Sequence, residues 1–241
     1  MIDIHCHLLP GIDDGPDTLE QALELARLAT DNGITHAVVT PHIHPGRWEN
    51  SRQIIEAHWS RFKDAVDEAG IPLKLGFAAE VRLSPEVLQM VANEQLPFHG
   101  EVDGYQILLL ELPHSHVPPG SDNLTRWLLD RKIRPMIAHP ERNKGIMRNL
   151  DQLEPFIEQG CFFQVTAGAA AGLFGDPARE TAEAILKQGC VTVLASDAHN
   201  ANHRPPRLDH GRDAAAEILG ADAANALVTS APMSIVSNQF S

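Results

Sequence analysis

Short apolar runs alternate with helical patterns along this chain, and that alternation limits the possible folds more than any other feature. The runs read MIDIH, ITHAVVTP, LKLGFAAEV, YQILLLEL, IRPMIAHP, CFFQVTAG and CVTVLASDAH, and a helical pattern follows each of them. Near-continuous apolar strands are buried on both faces, which is typical of parallel sheets. We therefore predict seven β/α units in a single α/β domain that covers residues 1–241.

Signals at the ends of the helical patterns support this division. In LEQALELARLATDNG, apolar residues recur at helical spacing, and Gly33 follows the last of them. In SPEVLQMVANE, Ser84 is expected to cap the helix and Pro85 to occupy its first position. Seven units close more naturally into a barrel than into an open sheet, although the pattern alone is also compatible with a doubly wound sheet.

Composition excludes several classes of protein. No apolar run approaches the length of a transmembrane helix, and no basic segment followed by an apolar one indicates a signal peptide. Three cysteines, Cys6, Cys161 and Cys190, are too few for a disulfide framework, so we expect a reducing, cytoplasmic location. The formal charge of −13 argues against nucleic-acid binding. The thirteen histidines are more than a chain of this length usually carries, and they are the informative feature of the composition.

Polar residues stand at the ends of the predicted strands. Six of the seven runs end in, or are followed by, an imidazole or a carboxylate. In a barrel of β/α units the C-terminal ends of the strands meet at one rim, where catalytic residues gather. We therefore expect these side chains to form one site. In chain order they are His5, His7, His42, His44, Glu80, Glu111, His139, Glu141, Asp197 and His199, with Arg142 beside them.

The chemistry of this set indicates metal ions. A single histidine after a strand is more often a loop residue than a ligand, but Glu80, Glu111 and Asp197 would bring three carboxylates into one cavity. Unpaired buried charge is costly, and cations remove the repulsion. Imidazole and carboxylate without thiolate suit Mn, Fe or Zn, and the ligands exceed one tetrahedral site, so we predict two or three ions bridged by carboxylates. Cys6 should point to the opposite face of its strand.

These motifs resemble those of the polymerase-and-histidinol-phosphatase (PHP) superfamily. DIHCH, TPHIH, GFAAE, AHPER and SDAH match its motifs in order. Within it, MIDIHCHLLPGIDDGP, TPHIHPGRWEN, HPER and SDAHNANHRPP, which span residues 1 to 206, are similar to the bacterial metal-dependent protein tyrosine phosphatases of capsule and exopolysaccharide synthesis. The resemblance implies a distorted (β/α)7 TIM-like barrel with a trinuclear site, often loaded with manganese.

The resemblance also implies a ligand set. Carried over residue by residue, it assigns the first metal to His5, His7, Glu80 and Asp197. It assigns the second metal to Glu80, Glu111 and His139. The third would be held by His42, His199 and an acid of DDG, with Asp14 preferred to Asp13 but the choice left open. Many superfamily members have histidine where this chain has Glu111 and Asp14. More carboxylate makes the site harder and favours Mn over Zn, although Fe, Zn, Mg or Co could replace it.

Further residues around the rim have implied or expected roles. Arg142 and Arg204 resemble the family's phosphate-binding arginines, although either could instead be a surface residue or support a ligand, and this alternative suits Arg204 better. His44 either faces substrate or supports a ligand. His114 and His116 of LPHSHVPPG are expected to be solvated loop residues.

The preferred function is a phosphotyrosine-protein phosphatase, and the resemblance implies a tyrosine autokinase of capsular or exopolysaccharide synthesis as its partner. The alternatives are a small-molecule phosphoesterase such as histidinol-phosphate phosphatase, and an inactive scaffold that binds a phosphotyrosine tail. A phosphocysteine route is closed, because cysteine phosphatases carry arginine six positions after the nucleophile, where this chain has Ile12, Ala167 and Ser196.

The negative net charge would repel an anionic phosphopeptide at long range. We therefore expect the mouth of the site to be the less acidic part of the surface, with Arg47, His203, Arg204 and Arg207 around it.

Overall fold

The computed structural model describes residues 1–240, and these contain ten strands. Six of the strands are longer than three residues, and the remaining four have two or three residues each. The strands are β1 (Ile2–Cys6), β2 (His36–Val39), β3 (His42–Ile43), β4 (Lys74–Phe77), β5 (Glu80–Arg82), β6 (Glu101–Val102), β7 (Tyr105–Glu111), β8 (Ile133–Ala138), β9 (Phe162–Thr166) and β10 (Val193–Ala195).

Helices follow the strands and pack outside them. The α-helices are α1 (Leu19–Asp31), α2 (Arg52–Glu68), α3 (Val87–Ala92), α4 (Ser121–Leu129), α5 (Lys144–Arg148), α6 (Glu154–Glu158), α7 (Ala167–Ala170), α8 (Asp176–Lys187), α9 (Asp209–Leu219), α10 (Ala221–Ala226) and α11 (Ser230–Val236). Three 3₁₀ helices cover Pro140–Arg142, Leu150–Leu153 and Ser237–Gln239. No described helix combines the length and apolar character that a membrane crossing requires.

The strands form a distorted parallel barrel. One sheet has the strand order β1–β2–β4, and the other has the order β3–β5–β7–β8–β9–β10. All neighbouring strands in these two orders are parallel. The ring closes where the backbone N–H of Asp197 donates to the carbonyl of His5 and that of His7 donates to the carbonyl of Ala198, both at 2.8 Å. The seven predicted β/α units and the barrel are thus confirmed, and the doubly wound alternative is wrong.

Two of the seven predicted strands are interrupted, which accounts for the distortion. The second is divided into β2 and β3 at Thr40 and Pro41, and the third into β4 and β5 at Ala78 and Ala79. Pro41 has no N–H to donate to a neighbouring strand, so regular pairing stops there. Beyond the breaks, β3 and β5 turn toward β7, and their side chains enter the rim of the barrel.

The C-terminal segment fills the gap that the distortion leaves between β4 and β7. The side-chain amide of Gln239 donates to the carbonyls of Phe77, Phe98 and His99 at 3.0–3.2 Å. Ile235 and Val236 of α11 join the apolar residues inside the barrel. This end of the barrel is therefore closed by packing, and the opposite end is free to hold polar side chains.

Expected details of two helices are wrong. The predicted cap at Ser84 and the predicted helix start at Pro85 are both wrong, because α3 begins at Val87 and the carbonyl of Ser84 accepts the Val87 N–H in a turn at 3.3 Å. The segment LDQLEPFIEQG forms a 3₁₀ helix followed by the short α6 instead of one continuous helix. Pro155 lies at the start of α6, where its missing N–H is tolerated.

Candidate metal centre

The side chains predicted at the strand ends meet at one rim of the barrel. Their ligand atoms form three overlapping groups, and within each group all atoms lie within 4.8 Å of one another. The groups are His5, His7, Glu80 and Asp197; His7, Asp14, His42 and His199; and His42, Glu80 and Glu111. Because Glu80, His7 and His42 each belong to two groups, the three positions are adjacent.

His139 contacts this cluster through Glu80. It lies just beyond β8, and its Nε2 is 2.7 Å from Oε1 of Glu80, whose Oε2 is 3.3 Å from Nε2 of His5. Glu111 ends β7, and its Oε1 is 3.0 Å from Nη1 of Arg82. Every candidate ligand predicted from the sequence therefore lies in the cluster or in direct contact with it.

Hydrogen bonds fix which nitrogen His5 and His7 present to the centre. Nδ1 of His5 donates to Oε1 of Gln164 at 2.8 Å, and Nδ1 of His7 donates to Oδ2 of Asp13 at 2.6 Å. The two Nε2 atoms then face each other at 3.4 Å. Two imidazole nitrogens at this distance need either protons shared with acids or a cation between them.

The neighbouring acids Asp13 and Asp14 have different positions. The side chain of Asp13 is buried, and it also accepts the backbone N–H of His42 at 3.0 Å, so its oxygens are engaged in holding other residues. Oδ1 of Asp14 lies 3.4 Å from Nε2 of His42 and 3.3 Å from Nε2 of His199. Asp14 is thus the acid of DDG whose carboxylate enters the cluster.

Several buried atoms of the cluster have no hydrogen-bond partner, which is the test of whether a cation fits. These atoms are Nδ1 of His42, Nε2 of His199, Oδ1 of Asp197 and Oε2 of Glu111. Buried polar atoms are nearly always satisfied, so four orphans converging on one place indicate a missing partner. Nitrogen and carboxylate oxygen are the donors that Mn, Fe and Zn accept, and the residues present fit such ions.

Without a cation, protons balance the negative charge of the cluster. Burial lowers the pKa of His5, but Glu80 and Asp197 outweigh burial and raise it above its ordinary value. Burial likewise opposes a charged His7, and Asp13 and the other acids raise the pKa of His7 well above its ordinary value. Burial raises the pKa of Glu80, and the imidazoles around it, led by His5 and His42, hold that pKa well below the usual range.

Two arginines contact the same acid of the cluster. Nη1 of Arg142 and Nη2 of Arg204 both donate to Oδ2 of Asp197. The guanidinium of Arg142 also lies 4.6 Å from the centre of the Phe174 ring. Both side chains are partly accessible, at 18% for Arg142 and 23% for Arg204, so they can meet a ligand at the mouth.

The remaining strand-end residues are placed as follows. Glu141 turns away from the cluster, and its Oε1 accepts the backbone N–H of Thr166 at 3.0 Å. His44 contacts Trp48 edge to face, and His114 and His116 are exposed, as expected for loop residues. Among the residues expected at the mouth, Arg47, His203 and Arg207 are exposed, and Arg207 is paired with Asp209 at 2.8 Å.

Sequence reasoning missed two buried supports of the centre. Gln164 on β9 is the one polar residue of CFFQV, and its isolation in an apolar run was an available signal. Asp3 on β1 accepts the backbone N–H of Ser196 at 3.0 Å and the Ser196 hydroxyl, which ties β1 to the segment that carries Asp197. The acid of MIDIH was visible in the sequence, but its partner 193 residues away was not.

Comparisons with known proteins agree with this geometry. The tyrosine-protein phosphatase YwqE of Bacillus subtilis is 34% identical over 204 residues, which are 85% of this chain and 79% of YwqE. The tyrosine-protein phosphatase CpsB of Streptococcus pneumoniae is 26% identical over 247 residues that cover both chains completely. A chain from the crystal structures of these two metal-dependent tyrosine phosphatases has a TM-score of 0.90 and 31% identity, covering 99% of this chain and 95% of its own.

A model of the capsular polysaccharide synthesis family CpsB/CapC matches residues 1–237. The match includes every strand of the barrel and every residue of the cluster described above. This chain therefore belongs to the CpsB/CapC family.

Proposed function

We propose that this protein is a metal-dependent phosphatase that hydrolyses phosphotyrosine in proteins. The observation that carries the proposal is the set of buried, unpartnered imidazole and carboxylate atoms, with Arg142 and Arg204 beside them. The relatives that match this chain over most of its length are named tyrosine-protein phosphatases, which supports the same substrate class.

The proposed ligands are the residues of the three adjacent groups together with His139, which contacts Glu80. A first ion is held by His5, His7, Glu80 and Asp197, a second by Glu80, Glu111 and His139, and a third by Asp14, His42 and His199. Manganese is the preferred ion, since four carboxylates make this a hard site. When bound, such ions neutralise phosphoryl oxygens and lower the pKa of an attacking water toward about 7.

Arg142 and Arg204 are proposed to bind the phosphoryl group. A guanidinium matches two phosphate oxygens at once, and two of them beside the cluster would balance the charge that develops during hydrolysis. Their contacts with Asp197 hold them at the mouth before substrate arrives. The leaving phenol has an ordinary pKa of about 10, so it needs less protonation than an alkoxide would.

The cysteines take no part in this proposal. Cys6 is buried and its pKa is raised well above the ordinary value by burial, with the nearby acids adding to the shift. Burial also raises the pKa of Cys161 to about 12. A thiol with such a pKa is not a thiolate at neutral pH and cannot act as the nucleophile.

The proposed substrate is a phosphotyrosine segment of a tyrosine autokinase that acts in capsular or exopolysaccharide synthesis, in the cytoplasm. Its anionic character fits a mouth that carries Arg47 and His203 on the surface. The lining of the cluster is an acid-rich pocket, so positive groups at the rim are what an incoming phosphopeptide would meet first.

The test compares phosphatase activity on a phosphotyrosine peptide with and without Mn²⁺ after chelator treatment. Wild type should require the ion, and the His5→Ala/His7→Ala double variant should lose activity by at least about a thousandfold, whereas His58→Ala on α2 should keep it. Higher kcat/KM on histidinol phosphate would support the small-molecule alternative. Peptide binding without phosphate release would support the scaffold. Full activity in chelator would overturn the metal centre itself.

A further inference from the structure

The segment PGRWEN follows the His42–His44 pair in the sequence, and none of its residues is a proposed ligand. It forms a tight hairpin in which the backbones of His44 and Trp48 exchange hydrogen bonds at 2.8 and 3.0 Å. Gly46 has a φ of +79° at the turn, a conformation that glycine adopts without strain. The hairpin brings the chain back, so that Trp48 lies over His42.

Trp48 stacks directly on the imidazole of His42. The ring centres are 4.6 Å apart and the planes differ by 5°. The His7 ring lies 4.6 Å from the His42 ring at a steeper angle of 48°. The imidazole of His42 is therefore held by contacts with two rings, of which Trp48 provides the parallel one.

The backbone around His42 is fixed as well. The side-chain amide of Asn50 donates to the carbonyl of His42 at 2.8 Å and to the carbonyl of Ile12 at 3.1 Å. Asp13 accepts the His42 N–H. The end of the hairpin thus ties His42 to the loop that carries Asp14.

His42 differs from the other histidines of the three groups in how its ring is oriented. Nδ1 of His5, His7 and His199 each has a hydrogen-bond partner, namely Gln164, Asp13 and the carbonyl of Asp197. Nδ1 of His42 has none, and it lies 3.1 Å from Oε2 of Glu80 while Nε2 lies 3.4 Å from Asp14. Both nitrogens are directed at acids of the cluster, so neither is tied to a group outside the cluster that would orient the ring.

We propose that Trp48 is the positioning residue for His42, and that ring stacking does here what a hydrogen bond does for the other histidines. The proposal rests on the metal centre proposed above. Residues that orient metal ligands typically change metal affinity about 10- to 100-fold when they are lost. The guanidinium of Arg47 lies 3.9 Å from the centre of the same indole, so the hairpin that orients the ligand also carries a positive charge at the mouth.

The experiment measures Mn²⁺ binding to chelator-stripped protein by titration calorimetry, which does not depend on activity. Trp48→Ala should weaken the binding of at least one ion, the one that His42 holds, by about tenfold or more. Trp48→Phe retains a flat ring and should stay within about threefold of wild type. Trp48→Leu, which fills space without a flat face, should behave like the alanine variant. Trp127→Ala on α4, whose indole lies near Arg131, is the matched control and should bind as wild type.

A second readout uses fluorescence. Mn²⁺ should quench the wild-type emission by more than it quenches Trp48→Phe, because Trp48 is the indole stacked on a ligand. In a double-variant cycle, Trp48→Ala should lower the Mn²⁺ affinity only slightly when His42 is already alanine. Equal Mn²⁺ binding by Trp48→Ala and wild type, or additive losses in the cycle, would overturn the role of Trp48. Wild-type protein that binds no Mn²⁺ would instead overturn the metal centre, so the two failures are distinct.

Discussion

Oε1 of Gln164 accepts the Nδ1 hydrogen of His5 at 2.8 Å and the backbone N–H of His139 at 3.2 Å. Since the backbone amide can only donate, the oxygen is the acceptor for both, and Nε2 of His5 faces Glu80 and Asp197. One uncharged residue thus sets the orientation of a proposed ligand of the first ion and the backbone of a proposed ligand of the second.

Gln164→Leu should lower Mn²⁺ affinity by about 10- to 100-fold, because His5 is then free to rotate and to place its proton on either nitrogen. It should also lower the free energy of unfolding by about 1–3 kcal/mol, since two buried donors lose their acceptor. Titration calorimetry and chemical denaturation measure the two effects. Gln164→Glu retains an acceptor, so its Mn²⁺ affinity and its free energy of unfolding should fall by less. Gln53→Leu on the exposed face of α2 should change neither quantity. Wild-type affinity in Gln164→Leu would contradict this role.

Asp13 and Asp14 should respond differently to substitution. Asp14→Ala removes a proposed ligand of the third ion, so the number of ions bound per chain should fall by about one. Asp13→Asn removes the charge that orients His7, so the ion that His7 holds should bind with lower affinity, and the number of ions bound should not change. Elemental analysis after dialysis against Mn²⁺ measures the stoichiometry. If Asp13→Asn loses an ion and Asp14→Ala does not, the assignment is reversed.

Much of the architecture could be predicted because apolar runs and strand-end polar residues carry direct signals. His5 and Glu80 lie on different strands and Asp197 follows a third, but all parallel strands end at the same rim, so their meeting follows from the topology. The breaks at Pro41 and Ala79 were not predicted, because an apolar run has the same pattern whether the strand is straight or bent. The closure of the other end by Gln239 depends on contacts with Phe77 and His99 that no local pattern encodes.

The supports of the site were harder to predict than its proposed ligands. A ligand is recognisable by its chemistry at a strand end, whereas Gln164 acts through an amide that resembles any other polar residue. Trp48 would be assigned to the core or to a surface loop from its type alone, and the role proposed for it rests on its parallel contact with His42. Asp13 and Asp14 are adjacent and chemically identical, so the backbone of their loop decides which one enters the cluster.

Mn²⁺ binding should release protons and weaken as the pH falls. The pKa values of His5 and His7 are raised above the ordinary value in the absence of metal, so each imidazole keeps its proton to a higher pH than a free histidine does, and a cation must displace that proton. Affinity should therefore rise with pH until it exceeds these pKa values, and a drop from about pH 8 to about pH 6 should cost at least about tenfold. Calorimetry in buffers with different ionisation enthalpies counts the protons. An uptake of protons on binding would contradict this charge state.

His99 should make the chelator-treated protein less stable in acid. Its Nε2 donates to the carbonyl of Ile4 at 2.7 Å, and burial lowers the pKa of His99 to about 4, against about 6.5 in the unfolded chain. As the pH falls, the unfolded chain binds this proton before the folded protein does. The contribution of His99 to the free energy of unfolding is therefore complete above about pH 6.5 and is lost as the pH falls toward about 4, a total of about 3 kcal/mol. Urea denaturation across this range measures it. His99→Asn retains a donor and should show a shallower slope, and an unchanged slope would exclude His99 as the source.

Phe174 should hold Arg142 in position for the phosphoryl group. The guanidinium lies 4.6 Å from the ring centre, and this contact joins the loop after α7 to the arginine that binds Asp197. An interaction of this type is worth about 0.5–2 kcal/mol, so Phe174→Ala should lower kcat/KM on a phosphotyrosine peptide by about 3- to 30-fold. Phe174→Tyr retains the ring and should stay near wild type, as should Leu173→Ala at the neighbouring side chain, which is 62% exposed. The loss should disappear when Arg142 is already alanine. If Phe174→Ala costs as much without Arg142 as with it, the ring acts through the fold of the loop and not through the guanidinium.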